Sequence, residues 1–502
     1  MADIAIPVAG TGGGAAEDKK GELKHGTLSL FDSTMIATAS VAPAYSLAAT
    51  IGLLVAAVSL QAPAAILASF FPVFFIALAY YFMNKQDPNC GASYTWISRT
   101  LNPHLGWLTG WVQTAASVLF CVAAPLLAGS NTLALLNSMG LISSDAAGDS
   151  RLVALVGFLW LLLVTAMVVR GIRLTANFQW VMVGIEYLLV LGFSIAAFVK
   201  IAAQHPAGSQ NISLSWFNPF SLSGLDGLAA GAVLGVFFFW GWDTAANLNE
   251  ESKNADTTPG NAGIISMFIL LLIFMVASAA VEALVPADTL AKQGGNALFY
   301  FATQVFPAPW SYAMVIAVLA STVATTQTTL LPATRLTFSM SRDDVFPPVF
   351  GLVHRTWHTP YLGTMIVAAI ATVGILLTTL NGSVNSTFQN IISNIGVLVA
   401  FYYGVTGIAC AWAFRKALFK SPRILVLAGI LPALGALFLF WVGYQVVQIA
   451  GIGPSLPVLI SLFVGLPLVV LTMVLTNSDF FSRKTVSYDI GPSGEIESSA
   501  AA

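Results

Sequence analysis

Apolar residues along this chain come in runs longer than a buried strand or the core face of an amphipathic helix requires. A bilayer core takes roughly 20 apolar residues per helix, and twelve such runs follow one another. They start near Leu30, Pro63, Trp107, Leu152, Asn177, Gly227, Ala262, Pro309, Leu362, Thr387, Ile424 and Leu456. Mostly short polar connections separate them. The pattern predicts an all-α membrane protein of twelve spans, because only helices and closed barrels satisfy their backbone in lipid.

Two runs are interrupted. "LFDSTMIATASVAPAYSLAATIGLL" carries Pro43 in its middle, where proline removes one helical hydrogen bond and clashes with the preceding turn. "FFFWGWDTAANLNEESKN", Phe237 to Asn254, places Gly241, Asp243, Asn247 and Asn249 directly after a row of aromatic residues. A helix is broken inside lipid only where protein lines a cavity. Each interruption falls in the first helix of a block of five, and matched breaks in two halves point to a substrate site at the midplane. The plain alternative is a proline kink plus a glycine packing contact.

Composition agrees with the runs. Of 502 residues 57% are hydrophobic and 8% charged, against about 25% charged in soluble domains. Of the 20 Lys and Arg, only Arg151, Lys200 and Lys292 fall outside if both termini are cytoplasmic, the orientation that positive loops favour. The expected location is a plasma membrane, and the compact tails suit a bacterial inner membrane. Lys19, Lys20 and Lys24 precede a first span that can itself direct insertion, so no cleavable leader is expected. Met1 to Asp18 and the closing "SYDIGPSGEIESSAAA" read as disordered tails. Cys90, Cys121 and Cys410 are far apart, and the five histidines sit in termini or loops. Neither a metal site nor a hydrolase constellation is suggested, and no cofactor or nucleic-acid partner is expected.

Three ordered stretches carry a resemblance. They are "WGWDTAANLNEESKN" in the sixth run, "GASYTWISRTLNPHLGWLTGW" from Gly91 to Trp111, and "PATRLTFSMSRDDVFPPVFGLVHRTWHTPYLG" from Pro332 to Gly363. With them the chain resembles the amino acid-polyamine-organocation family of secondary transporters over nearly its whole length. The resemblance implies a five-plus-five inverted repeat, residues 28–201 and 202–417. Peripheral spans would occupy 418–476, and cytoplasmic tails 1–27 and 477–502. It implies alternating access, with the broken first and sixth spans holding a small amino acid or amine. Mapped here, those positions are Ala42, Pro43, Ala44, Tyr45 and Ser46, then Phe239, Trp240, Gly241, Trp242 and Asp243, with Gln113 of the third span beside them. Trp240 would serve as a lid.

Two departures from the family pattern matter. Relatives that carry amino acids have glycine, a hydroxyl residue and glycine at the first break, whose amides receive the α-carboxylate. This chain has Pro43, Ala44 and Tyr45. Either the carboxylate is held differently or the substrate lacks one, and the reading leans toward amines. The second departure is Glu186, in "NFQWVMVGIEYLLVLGFSIAAF", where some proton-coupled relatives have lysine. A mid-span carboxylate costs roughly 2.5–3.5 kcal/mol on insertion scales and marks function by default. Gln179 and Ser194 share its helical face. Three roles compete for Glu186: proton coupling, a counter-charge for a substrate ammonium, and a structural bond to neighbouring backbone.

Further polar positions have weaker readings. Thr325 and Thr326, in "STVATTQTTLLPATR", match the helix whose hydroxyls bind sodium in coupled members of this fold, and back-bonding to their own helix is the plainer reading. Asp243 could stabilise the unwound backbone, face a substrate ammonium or cap the resumed half-helix. Glu250 and Glu251 fit an inner gate with Lys253 or Arg335, while Asp32 and Glu282 read as interfacial. Ser117, Ser393, Asn394, Tyr402 and Tyr403 are plausible site liners. The function expected is uptake of a small amine or amino acid with a proton on Glu186; the alternatives are sodium coupling or exchange, and a non-transporting receptor.

Overall fold

The computed structural model describes residues 22–380, 384–476, 478–491 and 496–500. Among them, eleven helical stretches are long and apolar enough to cross a bilayer. The first, Leu30–Gln86, has 57 residues, which as one straight helix would run about 86 Å, far beyond a bilayer's thickness. It is divided into α1 (Leu30–Val41), α2 (Pro43–Val58) and α3 (Ala62–Gln86). The later helices used below are α4 (Ser93–Thr100), α5 (Pro103–Ser138), α6 (Ser150–Arg170), α7 (Ile172–Gln204), α8 (Gly224–Gly235), α9 (Thr244–Asn247) and α10 (Thr258–Leu284). They are followed by α11 (Tyr312–Arg342), α12 (Tyr361–Leu380), α13 (Val384–Ala413), α14 (Leu431–Ala450) and α15 (Ile452–Thr476).

Burial sorts the helices into a centre and a rim. The apolar window of α11 is 83% buried, whereas that of Val458–Thr476, within α15, is 17% buried. Helices α5 and α11 pack together at the centre, with α13 against α5 and α7 against α11. Rows of exposed leucines on α6 and α7, such as Leu155, Leu159, Leu162 and Leu188, are what a lipid-facing surface requires.

Both interruptions are present. Ser29 and Asp32 form a reciprocal capping box at the start of α1. The helix ends at Ala42, held at φ 54°, ψ 69°, and α2 begins at Pro43. Proline suits a first helical position because its missing N–H has no partner to lose there. After α8 the chain passes through a tight turn, Val236–Phe239, and then Trp240 is extended. Gly241 takes φ +116°, and α9 begins three residues later. A Cβ at Gly241 would lie 2.8 Å from the Ser40 carbonyl oxygen, so the two breaks touch through a contact only glycine permits.

Asp32, 2% exposed, is taken up by Arg173 and Trp180 at 3.1 Å each. Glu282 is fully buried, on the α10 helix that packs along α3. One expectation is corrected: the C-terminal segment is not structureless. Phe480 stacks on Tyr94 at 5.6 Å, and Arg483 pairs with Asp343 at 2.7 Å. Strands β1 (Val486–Ile490) and β2 (Ile496–Ala500) form an antiparallel hairpin that buries Tyr488 against Phe414. A hydrophilic average hid these aromatic anchors. The tail Met1 to Asp18 lies outside the described residues.

Candidate substrate site between the two breaks

The side chains around the breaks form two polar clusters. The first surrounds Glu186 on α7, which is fully buried. Its Oε1 accepts from the Ala44 N–H at 2.6 Å and from the Ser321 hydroxyl at 2.7 Å. The Tyr45 N–H in turn donates to Ser321 Oγ at 3.2 Å. Oε2 has no hydrogen-bond partner among the described residues. The carboxyl therefore caps the open N-terminus of α2 and ties it to α7 and α11. The geometry is that of the third role considered for Glu186, a bond to neighbouring backbone, and it does not exclude a proton on the same group.

The second cluster surrounds Asp243, 3% exposed. Tyr403 donates to Oδ1 at 2.7 Å, and Tyr402 and Gln113 reach Oδ2 at 3.2 and 3.3 Å. Trp240 Nε1 donates to Tyr402 Oη at 2.8 Å. Asp243 makes no side-chain cap to α9, so the capping alternative is set aside. Its carboxylate forms part of the wall of a narrow, nearly closed cavity lined also by Ser40, Gln113, Ser117, Trp240, Gly241 and Tyr402. Aromatic rings close one side. Tyr45 and Trp240 both pack edge-on against Phe120, at 6.0 and 5.2 Å, a place that suits a lid.

The expected residues divide accordingly. Gln113, Trp240, Gly241 and Asp243 line the cavity, whereas Ala42, Pro43, Ala44, Tyr45, Ser46, Phe239 and Trp242 do not. Ala44 and Tyr45 meet Glu186 and Ser321 instead, and Trp242 is buried between Tyr80 and Tyr403. Thr325 reaches across to the Ser40 carbonyl at 2.8 Å, while Thr326 bonds back to Thr322 in its own helix. The side chains of Ser393 and Asn394 lie outside the described residues. Ser40, Thr244 and Ser321 were not singled out from sequence. Their only signal is a hydroxyl beside a break or, for Ser321, the residue before the threonine run.

Beyond the cavity, the chain after α9 is locked by charge. Arg335 makes a two-pronged pair with Glu251 at 3.0 and 3.1 Å, both side chains fully buried. Arg342 grips Glu250 at 2.6 and 2.9 Å. Arg335, not Lys253, is thus the partner of Glu251, and Arg342 that of Glu250. Burial works to raise the Glu250 carboxyl, but hydrogen bonds and charge from Arg342 outweigh it and hold it below its ordinary value. Across the same turn, Thr27 and Leu28 donate to the Glu251 carbonyl at 2.8 and 2.9 Å.

Several known proteins are similar to this chain in sequence. The low-affinity putrescine importer PlaP of Escherichia coli (strain K12) is 27% identical over 399 residues, covering 78% of this chain and 82% of that protein. The branched-chain amino acid permease BcaP of Lactococcus lactis subsp. cremoris (strain MG1363) is 24% identical, covering 73% and 78%. The serine/threonine exchanger SteT of Bacillus subtilis (strain 168) is 21% identical, covering 66% and 70%. The family model described as amino acid permease matches residues 28–474, nearly the whole of the membrane-embedded chain. Built on broken helices around a polar cavity, the chain belongs to the amino acid permease family.

Proposed function

We propose that the protein is a secondary active carrier that imports a small amino acid or organic amine by alternating access, in symport with a proton held on Glu186. The observation that carries this reading is the latch at the first break. One buried carboxyl joins the start of α2 to α7 and α11, so any change in its charge acts directly on the helix junction that must move. An ionised Glu186 matches the partial positive end of α2 and holds the junction closed. A protonated one has one acceptor fewer and loosens it. Loading and unloading the proton then biases the two access states.

In this proposal residues 28–201 and 202–417 are the two halves of the inverted repeat, and the Glu250–Arg342 end faces the cytoplasm of a plasma membrane. The relatives support the substrate range, since one is named for putrescine and another for branched-chain amino acids. The test is uptake into proteoliposomes under an imposed pH gradient. Glu186→Gln should abolish pH-driven accumulation while exchange of labelled for unlabelled substrate continues. Accumulation at the wild-type rate in that variant would remove the coupling assignment. Full activity that requires sodium and ignores the proton gradient would favour the sodium reading.

A further inference from the structure

We propose that the substrate is an organic cation without a carboxylate, a primary amine bound through its ammonium by Asp243. This rests on the carrier reading above and narrows it to one chemical class.

Recognition of an amino acid needs donors for its carboxylate and acceptors for its ammonium. At the first break, the donors are already used. Pro43 has no N–H. The Ala44 amide donates to Glu186 Oε1, the Tyr45 amide to Ser321 Oγ, and the Ser46 amide to the Ala42 carbonyl at 2.8 Å. The protein's own carboxyl thus occupies the position at which a substrate carboxylate would meet the helix terminus.

The cavity has the opposite character. No Lys, Arg or His contributes to its lining, and its one charged side chain is Asp243. Gln113 adds an acceptor. Its Nε2 donates to Asp243 Oδ2 and Asn247 Oδ1, both at 3.3 Å, and since both partners accept, the amide orientation is fixed with Oε1 free. That oxygen is buried and has no partner among the described residues. The rings of Trp240 and Tyr402 stand beside it, and aromatic faces attract ammonium groups. A carboxylate entering here would meet Asp243 as a like charge with no cation in the lining to offset it.

The test pairs amines with their parent amino acids: putrescine with ornithine, cadaverine with lysine, isobutylamine with valine. Thermal unfolding of the detergent-purified protein reports binding, and counterflow in proteoliposomes reports transport. A ligand that binds only the folded protein raises its melting temperature. At least one amine should stabilise the protein at a concentration about tenfold or more below its parent acid, a difference of about 1.4 kcal/mol. Asp243→Asn should abolish that shift while leaving the unliganded melting temperature within a few degrees. Glu186→Ala, which uncovers the Ala44 amide, should narrow the gap by letting the amino acids bind better. Stabilisation by amino acids equal to or stronger than by amines, or by neither class, overturns the assignment. Amine stabilisation without counterflow would remove the carrier reading and leave this assignment standing.

Discussion

Gly241 is the position where one atom decides the most. Any side chain there must adopt φ +116° and push its Cβ into the Ser40 carbonyl, so neither the backbone nor the neighbouring helix can accommodate it. Strain of this kind costs about 1–3 kcal/mol before the clash is counted. Gly241→Ala is therefore expected to lower the melting temperature and to abolish transport even where folded protein is recovered, measured by thermal unfolding and counterflow on the same preparation. The glycine, and the acids Glu186 and Asp243, were legible in the sequence because each violates the local rule of its apolar run. Gln113, Tyr402 and Tyr403 were legible only as liners, and which acid each partner would meet was not. Nothing in the spacing of Ser321 or Tyr403 says which helix each will face, since those contacts join positions 135 and 160 residues from the acid they serve.

At the scale of elements, the turn after α9 is held by two ion pairs of different kinds. Glu251–Arg335 is buried on both sides, and removing one partner alone leaves a charge stranded, at a cost of about 3–5 kcal/mol. Arg335→Met should thus lower stability sharply, and Glu251→Gln added to it should restore part of the loss. A thermal-unfolding cycle over the two single variants and the double would show this. Glu250–Arg342 is partly exposed, with side chains 11% and 30% accessible, and answers to pH. The folded carboxyl sits below its unfolded value, so its contribution is present above that value, about 4.3, and is lost as pH falls through the folded one. Melting temperature measured from pH 6 downward should decline less steeply in Arg342→Gln than in the wild type. The sequence announced an acidic pair here and two candidate cations, Lys253 and Arg335. It could not announce Arg342, two helical turns further on, because which arginine meets which acid depends on how α11 is rotated against α9.

For the molecule as a whole, the division into long apolar helices with two interruptions followed from hydropathy and from Pro43 and Gly241. The ordered C-terminal segment did not. Its strands are short and polar, and what fixes them is a few anchors, Phe480, Arg483 and Tyr488, on the ends of α4, α11 and α13. In the proposed carrier these anchors touch elements that an inner opening would move apart. Truncation after Lys484 removes the hairpin but leaves Phe480 and Arg483. It is expected to raise amide hydrogen exchange at the end of α13, with little change in the central helices.

The burial of Glu251 and Arg335 also sets how this end of the molecule responds to salt. Dissolved salt screens charges that water can reach, with a Debye length of about 8 Å at physiological strength, but it penetrates poorly to a pair with no accessible surface. The Glu251–Arg335 pair should then be indifferent to the ionic strength of the medium. The partly exposed Glu250–Arg342 pair weakens under the same salt, so the buried pair alone would keep this end of the proposed carrier shut in brine.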